Sequence, residues 1–471
     1  MTFNSLPYFL YLPCVYLLFA VVGDRWRWLV LLVASYGFYF FCKAPYLPFI
    51  LLGVTCIAYT CGLRIASSAD ESSRGRWFWI GVSACIAILA LLKYLPVLDS
   101  VGKKIFPAVI ISIGVSYFTF QAISYLADLY LEIEEEPERH FGRFALYLAF
   151  FPKLLQGPIE RAGDMLPQLR QPYNFDYDTM RSGMVLFAWG LFKKVVVADR
   201  LDFFVSQIFG HAHSYRGIAL LLAIYAYAFQ LYMDFSGYTD MARGTGRLFG
   251  IRLTENFNSP YLATSIADFW RRWHISFSRW ILDYIFKPLQ MGWRSLGLAG
   301  TALALLVTFF VSGIWHGATW GFVVWGLVHG VYLAASTYYR PYQKQLHAWL
   351  GIEKTAMLRW WQIFVTFHLV SLAWVFFRAD SLKDAVYIIS NLFAVTPLAS
   401  LKSLVLAGGY IQVLAVLLSL AVLWLLQKPL CSGTVFNAGV VRRWMIYLTL
   451  VCSIMVLGSF QSGQKFIYFQ F

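Results

Sequence analysis

The chain has 471 residues, of which 59% are hydrophobic and only 13% are charged. This composition excludes an ordinary soluble protein and indicates a protein that lies in a lipid bilayer. The formal net charge is +14, but Lys and Arg occur in the short connections between apolar runs, where the positive-inside rule and anionic lipid explain them. We therefore expect the lipid bilayer as a partner and no binding of nucleic acid.

Apolar runs long enough to span a bilayer recur along the whole chain. A helix needs roughly 20 residues to cross a hydrocarbon core about 30 Å thick. The runs lack the alternation of barrel strands, and open sheets cannot span lipid. The sequence thus predicts an all-α, polytopic integral membrane protein with about 10–12 transmembrane helices, plus re-entrant and interfacial helices around a central channel. The runs are 8–22, 28–41, 47–61, 77–92, 183–197, 218–233, 296–336, 361–377, 404–426 and 445–460.

The sequence shows no tandem repeat and no stretch that would form a soluble domain. We expect a single domain over residues 1–471, with a catalytic core at about 110–340. A basic segment at 241–294 is predicted to be cytoplasmic. It contrasts with an acidic loop that contains Glu132, Glu134, Glu135, Glu136 and Glu138.

The apolar run 296–336 is too long to be one straight helix. Its residues would extend for about 60 Å, twice the thickness of the membrane. Residues 340–359 are basic like 241–294, so both are expected on the same side, and the run between them must go in and return. The break is predicted at Gly313 and Gly317, which allow close backbone approach or an unusual backbone angle. His316 is therefore expected near the tip of a helical hairpin.

His316 is the first candidate catalytic residue. An ionisable side chain within an apolar run is costly to insert and indicates a functional site by default. A histidine can take up and return a proton near neutral pH. The alternative is a neutral structural histidine, bonded to a backbone carbonyl that the glycine break sets free.

The segment 265–284, with the sequence SIADFWRRWHISFSRWILDY, has the pattern of one amphipathic helix. Ser265 and Asp268 form a capping-box pattern at its start. The helix is too charged to cross lipid and is predicted to lie in the interface with its aromatic face toward the bilayer. His274, at the border of that face, either faces a reaction chamber or is an ordinary interfacial histidine. The aromatic face holds Trp270, Trp273, Phe277 and Trp280, and the charged face holds Asp268, Arg272, Arg279 and Asp283.

The other histidines are predicted to be structural or solvated. His329 follows His316 by 13 residues, on nearly the opposite helical face, so the two are not expected to converge. Metal binding is not expected either, because no HxxxH or similar spacing occurs and no carboxylate neighbours His316 in sequence. A GxSxG elbow is also missing, which argues against a self-contained serine hydrolase. The remaining members of this group are His140, His211, His213, His347 and His368.

Several motifs together resemble a known family. The longest reads NFNSPY at 256–261 and DFWRRWHIS at 268–276, and the others are SYFTFQAISY at 116–125, QGPIER at 156–161, GIWHG at 313–317 and FIYFQF at 466–471. They resemble the membrane-bound O-acyltransferase (MBOAT) family, and most closely its alginate O-acetyltransferase membrane subunit branch. One departure is the loop 287–292, which reads KPLQMG where that branch continues to a Pro-Leu-Gly-Gly turn.

The resemblance implies roles for individual residues. His316 matches the essential histidine of the family, and His274 matches the second histidine. Asn256 is expected to contact substrate, Trp273 and Trp315 to wall the channel, and Arg271 and Arg272 to meet the phosphates of coenzyme A.

The expected function is transfer of an acetyl group from a cytoplasmic thioester to a hydroxyl beyond the membrane. Acetyl-CoA is the expected donor, no cofactor is expected to be bound, and the acceptor is an extracytoplasmic esterase-like O-acetyltransferase partner or an envelope glycan. The expected location is the bacterial cytoplasmic (inner) membrane. The open alternatives are a D-alanyl transferase for teichoic acid that uses a carrier-protein thioester, a non-catalytic glycan or acyl transporter, and a structural partner of a glycan synthase.

Overall fold

The computed structural model describes residues 2–42, 45–94, 114–134, 136–396, 398–460 and 466–467. These residues form helices and connections, and no β-strand occurs among them. Glu135 of the acidic loop, residues 110–113 of the predicted catalytic core and residues 468–471 of the C-terminal motif lie outside the described residues. The predicted all-α class is confirmed.

Eight helices in the described part of the chain are long and apolar enough to cross a membrane. The chain is therefore a multi-pass membrane protein. The helices Leu6–Val21 and Asp24–Phe40 have 16 and 17 residues, and the count of about 10–12 passes remains a prediction. The eight candidate spans are Leu47–Ser67, Glu71–Tyr94, Ile218–Leu248, Arg294–His316, Trp320–Trp349, Ala356–Arg378, Gly409–Cys431 and Val440–Leu457.

The chain divides into two compact units. The first comprises Met1–Leu191 and Gly237–Glu255, and the second comprises Phe192–Ser236 and Asn256–Phe471. The expectation of a single domain over 1–471 remains a prediction.

The first unit is built around one buried helix. Of the 16 residues of α5, 15 are buried, and α3, α4 and α6 pack against it. The helices are α1 (Leu6–Val21), α2 (Asp24–Phe40), α3 (Leu47–Ser67), α4 (Glu71–Tyr94), α5 (Val115–Tyr130), α6 (Phe141–Ala149), α7 (Ala162–Arg170) and all but the last residue of α8 (Tyr177–Phe192).

The second unit contains the helices on which the candidate catalytic residues lie. Two π-helical turns, Lys193–Ala198 and Leu282–Phe286, interrupt its α-helices. The helices are α9 (Asp199–Gly210), α10 (Ile218–Leu248, as far as Ser236), α11 (Ile266–Arg272), α12 (Ile275–Ile281), α13 (Lys287–Gly292), α14 (Gly297–His316), α15 (Trp320–Trp349), α16 (Ala356–Arg378), α17 (Leu382–Ser390), α18 (Leu398–Cys431) and α19 (Val440–Leu457).

The predicted hairpin is confirmed as α14 and α15. The two helices run antiparallel and touch through glycines, since a Cβ on Gly326 would lie 2.3 Å from the Phe309 carbonyl oxygen, and one on Gly313 would lie 2.5 Å from the Phe322 carbonyl oxygen. His316 is the last residue of α14, and α15 begins at Trp320. The backbone of Gly317 is extended, a conformation that any residue can adopt. The glycines of the hairpin are therefore needed for the close approach of the chain and not for an unusual backbone angle.

The single amphipathic helix predicted over 265–284 is wrong, although its start is confirmed. The Ser265 hydroxyl accepts a hydrogen bond from the Asp268 N–H at 3.1 Å, but α11 ends at Arg272 and α12 begins at Ile275. The aromatic side chains of this segment are buried within the unit and do not face lipid. A helical periodicity drawn across residues 273 and 274 cannot hold, because the chain is not helical there. The buried aromatics are Trp270, Trp273, Phe277 and Trp280.

Candidate active site

His316 ends α14 in an aromatic pocket. Its side chain is buried, and its ring centroid lies 4.5 Å from that of Trp315, 4.8 Å from Trp325 and 5.1 Å from Phe377. Trp315 belongs to the same turn, Trp325 comes from α15 and Phe377 from the end of α16. The break after His316 therefore puts an ionisable ring among side chains of three helices, in surroundings that exclude water.

His274 occupies the break between α11 and α12 in a left-handed backbone conformation. Its φ and ψ are 42° and 56°, which a residue with a Cβ adopts at a cost of roughly 1–2 kcal/mol. The Ser278 N–H donates to the His274 carbonyl at 2.9 Å. Such a conformation survives only where neighbouring contacts hold it, and it is often found at functional sites.

Asn256, in the segment that precedes α11, holds this turn through two hydrogen bonds. Its side-chain Oδ1 accepts from the Ser276 N–H at 3.0 Å, and its carbonyl oxygen accepts from the Ile275 N–H at 3.0 Å. Its Nδ2 is buried and has no hydrogen-bond partner within the described residues. Asn256 thus positions the His274 turn, and the expected contact with substrate, for which Nδ2 has the chemistry, remains a prediction.

Phe277 brings the two histidines into one site. Its ring centroid lies 5.2 Å from that of His274 and 6.2 Å from that of His316, and it stacks on Trp315 at 4.3 Å. On the far side of His274 lies Phe235 of α10, at 4.7 Å. Phe277 was predicted only as part of an aromatic face. Its position, three residues after His274 in the same motif, is the one signal in the sequence that relates it to the site.

Burial controls the charge of His274. The ring is enclosed by apolar side chains, and this burial lowers its pKa to about 3. The imidazole is therefore neutral at physiological pH, with one N–H that can donate a hydrogen bond and one bare nitrogen that can accept one.

The two tryptophans predicted to wall the channel have different neighbours. Trp315 contacts His316 directly and stacks on Phe277, so it forms a wall of the site. Trp273 packs against Phe257, Phe269 and Trp374, with ring centroids 5.0, 5.5 and 5.1 Å away. Trp273 supports the turn that carries His274 from the side of the aromatic core, and a role in lining a channel stays a prediction.

Arg271 and Arg272 project from the last turn of α11, and both approach Asp268. Arg272 Nε lies 3.1 Å from the Asp268 carboxylate and Arg271 Nη2 lies 4.0 Å from it, while 69% of the Arg271 side chain is exposed. Their charge is thus partly balanced by one carboxylate. Their expected contact with coenzyme A phosphates remains a prediction.

His329 and His316 share one aromatic neighbour, Trp325 of α15. Both rings pack against Trp325, at 5.2 Å for His329 and 4.8 Å for His316. The expectation that the two do not converge stays a prediction, although the helix breaks between them and α15 folds back on α14. The Trp270 indole N–H donates to His329 Nδ1 at 3.3 Å, which fits the structural role predicted for His329. As for metals, no cluster of three His, Cys, Asp or Glu side chains suited to an ion occurs in the described part of the chain.

A buried charged cluster in the second unit escaped the sequence analysis. Lys194 Nζ lies 2.6 Å from the Asp234 carboxylate and 2.8 Å from that of Asp199. Asp234 also accepts from the Ile467 N–H at 2.9 Å, and Lys194 lies 4.4 Å from the ring of Phe466. The cluster anchors the start of the C-terminal motif. The criterion that singled out His316, an ionisable residue in an apolar run, would also have found Lys194 in the run 183–197, and Asp234 directly follows the run 218–233.

Comparison with known proteins gives a consistent set of similarities. The family model described as MBOAT, the membrane-bound O-acyltransferase family, matches residues 116–377 and so spans both histidines. The chain is 34% identical to the "Probable alginate O-acetylase AlgI" of Pseudomonas putida, over 100% of both chains. It is 36% identical to the "Peptidoglycan O-acetyltransferase" of Helicobacter pylori, over 78% of this chain and 73% of that protein. It is 27% identical to the "Teichoic acid D-alanyltransferase" of Bacillus subtilis, over 65% of this chain and 79% of that protein.

Proposed function

We propose, from the premise that this chain belongs to the membrane-bound O-acyltransferase family and is an O-acyltransferase, that it moves an acetyl group from cytoplasmic acetyl-CoA across the membrane. The acceptor is a hydroxyl of an envelope glycan, or of an extracytoplasmic esterase-like partner that passes the group on. The names of relatives with about the same identity include both alginate and peptidoglycan enzymes, so the proposal extends to envelope glycans as a class. The site of action is the cytoplasmic membrane of a bacterium.

The observation that carries the proposal is the meeting of His274 and His316 at Phe277. One histidine ends a broken hairpin and the other occupies a left-handed turn, and both are buried among aromatic rings. A thioester is already activated, so transfer needs correct positioning, a base and a site that excludes water.

His316 serves as the general base in this mechanism. A ring nitrogen of His316 takes the proton from the acceptor hydroxyl while the hydroxyl oxygen forms a bond to the thioester carbonyl carbon. The tetrahedral intermediate collapses, the carbon–sulfur bond breaks, and the proton on His316 goes to the departing thiolate. The products are an acetyl ester and free coenzyme A, and the histidine returns to its starting state.

His274 serves as a hydrogen-bond donor. A neutral imidazole donates its N–H to the carbonyl oxygen of the thioester, which gains negative charge in the tetrahedral intermediate. The low pKa of His274, caused by its burial, keeps the ring in this neutral form throughout the cycle.

The donor is tested with purified protein in proteoliposomes, supplied on the outside or the inside with acetyl-CoA labelled in the acetyl group and with the partner or glycan fraction of the source cells. We expect label in the acceptor from acetyl-CoA on one side only, and loss of this label in His316→Ala. His211→Gln is the matched control, because His211 is an exposed histidine outside the site. Equal labelling by His316→Ala and wild type would contradict the proposal.

A second candidate is D-alanyl transfer to teichoic acid from a carrier-protein thioester. The similarity to the Bacillus subtilis teichoic acid D-alanyltransferase favours it, at lower identity than the acetyl-transferring relatives. The same proteoliposomes supplied with a D-alanyl carrier protein distinguish the two. Transfer of D-alanine without transfer of acetyl would replace the proposed donor.

Transport without chemistry predicts a different response at the hairpin. A transporter with its site at the break after His316 should keep its flux in His316→Gln, which preserves the size of the side chain. Acyl transfer should be lost in that variant, because an amide cannot take the proton of the hydroxyl. Retained flux of the acyl or glycan substrate, without ester formation, would favour the transporter.

A further inference from the structure

The first unit contains a cavity whose lining includes no residue to which the proposed acyl transfer assigns a role. It has a volume of about 700 Å³, within the range of roughly 300–1,000 Å³ typical of small-molecule sites. Most of its walls come from the end of α1, the start of α2, the end of α7 with the residues that follow it (168–176), and the end of α10 with the residues that follow it (247–252). All of its lining residues belong to the first unit.

The lining of this cavity is strongly basic. Six arginines and only two carboxylates, Asp24 and Asp176, face it. Asp24 pairs with Arg27, while Asp176 accepts from the Thr179 N–H at 2.8 Å and keeps its negative charge, so the arginines remain in excess among the lining residues. The six arginines are Arg25, Arg27, Arg143, Arg170, Arg247 and Arg252.

Four of these six arginines have no carboxylate partner within the part of the chain that the structure describes. Arg27 pairs with Asp24, and Arg170 pairs with Glu138 at 2.8 Å. No carboxylate within the described residues lies at ion-pair distance from the other four. Arg143 is half-buried, and its Nε has no hydrogen-bond partner among the described residues. Four like charges around one cavity repel one another, and an anion in the cavity would relieve that repulsion.

The four arginines that have no carboxylate partner among the described residues are well suited to binding a phosphate group. The planar guanidinium group presents several N–H donors in a fixed arrangement that suits the oxygens of a phosphate. A dianionic or bridging phosphate can accept from more than one of these groups at once. The positive charge of these four arginines is larger than one carboxylate group would balance.

Packed aromatic side chains hold the cavity open. Phe19 contacts Tyr173 at 5.0 Å and Phe249 at 5.2 Å, and Trp28 packs on His140 at 4.7 Å. Because these contacts fix the wall before a ligand binds, little ordering cost is expected on binding.

The surroundings of the cavity bear on the source of the phosphate. The last turns of α1 next to it expose Leu17, Leu18 and Val21, and Trp26 of α2 is 51% exposed. A lipid bound by its headgroup would find apolar surface for its acyl chains along these helices. A soluble phosphate ester would use the arginines and the aromatic wall alone.

We infer that this cavity is a binding site for a phosphate ester, held by Arg25, Arg143, Arg247 and Arg252. The phosphate belongs either to the headgroup of an anionic phospholipid or to a soluble phosphate ester. The lining of the cavity shares no residue with the histidine site.

The test measures binding of two probes to the purified full chain in detergent. Native mass spectrometry gives the Kd for phosphatidylglycerol, with phosphatidylcholine as the zwitterionic comparison of zero net charge, and equilibrium dialysis gives the Kd for 3′,5′-adenosine bisphosphate. Arg25→Gln/Arg252→Gln removes two exposed lining charges and should preserve the fold. Arg143→Gln removes a half-buried lining charge. The matched control is Arg76→Gln/Arg139→Gln, two exposed arginines of the same unit that do not line the cavity.

The expected result is that both lining variants weaken binding of at least one anionic probe by about fivefold or more, because charge-assisted contacts are lost. The control should stay within about twofold of wild type, where only distant, screened charges change. An effect on phosphatidylglycerol alone assigns the site to a lipid headgroup, and an effect on the bisphosphate alone assigns it to a soluble ester. Unchanged affinity for both probes, or an equal loss in the control, would overturn the inference.

Discussion

His274 is a candidate catalytic residue that has a strained backbone conformation. Its left-handed conformation costs roughly 1–2 kcal/mol relative to an ordinary helical residue, and Asn256 and Ser278 hold it in place. In return the turn directs the ring to Phe277, between Phe235 and the site of His316. The strain therefore has a direct use in presenting one imidazole to a buried site.

Two substitutions of His274 distinguish the contribution of its backbone conformation from the contribution of its side-chain hydrogen-bond donor. Asn and Gly both tolerate a positive φ, but only Asn supplies N–H donors. We expect His274→Gly to lower kcat by about 10²–10³, and His274→Asn to lower it by only about tenfold. The measurement is kcat and KM for acetyl-CoA in proteoliposomes. Equal rates for the two variants would show that donation from residue 274 does not contribute.

The dependence of kcat/KM on pH should show no titration of His274. Burial lowers the pKa of this imidazole to about 3, so its protonation does not change between pH 5 and 8. As the pH falls, the ring stays neutral until well below its ordinary pKa of about 6.5. The midpoint of the acid limb of kcat/KM should therefore be the same in wild type and His274→Asn. A shift of that midpoint in the variant would assign the titration to His274 and contradict the neutral role.

Asn256 acts on the site through the turn. In Asn256→Ala the buried Ser276 N–H loses its acceptor, which should cost about 1–3 kcal/mol and lower the unfolding temperature together with kcat. Asn256→Asp keeps an oxygen at Oδ1, and at a pH low enough to protonate the buried carboxyl group it should restore much of the unfolding temperature. If Asn256→Asp is as unstable as Asn256→Ala at that pH, the oxygen is not what holds the turn. A rise in KM in Asn256→Asp at wild-type stability would identify Nδ2 as a contact to substrate.

Among the helices, the hairpin of α14 and α15 fixes the position of His316. The two backbones touch at Gly313 and Gly326, so the end of α14 cannot move without separating the pair. Small residues allow such contact inside membranes, where packing and not the hydrophobic effect holds helices together.

A single methyl group at this contact should disturb the site. In Gly326→Ala the new Cβ would lie 2.3 Å from the Phe309 carbonyl oxygen, so the helices must separate, at a cost of about 1–3 kcal/mol. We expect a lower unfolding temperature and a lower kcat. Gly53→Ala is the control, since a Cβ at Gly53 meets no atom within 4 Å. Wild-type kcat and stability in Gly326→Ala would show that the close contact is not needed to position His316.

The elements also show where prediction from sequence succeeded and failed. The hairpin was predictable because an overlong apolar run between two basic segments must fold back, and the glycines marked the turn. The break at His274 was not, because a positive φ there has no signature in residues 273–275, and the aromatic residues kept a helical spacing across it. The partners of His274 were also hidden, since Phe235 lies far from it in sequence and only folding brings them together.

At the scale of the whole molecule, the composition was sufficient to predict the structural class, and the motifs were sufficient to predict the family. An apolar chain with few charges had to be a helical membrane protein, and the long motif around His274 pointed to the acyltransferase family that the comparisons support. The basic cavity of the first unit was not predictable, because its arginines come from four separate segments and none stands out by itself.

The central claim is that His316 and His274 act on the same chemical step, and a double-mutant comparison tests it most directly. Single-turnover acetyl transfer is measured in proteoliposomes for His316→Ala, His274→Gly and the double variant, each checked for folding and insertion. Residues that act as a unit show losses that do not multiply. We expect each single variant to lose about 10²–10⁴ in rate and the double variant to be no slower than His316→Ala. A double variant whose loss equals the product of the two single losses, or a His316→Ala variant at the wild-type rate, would contradict it.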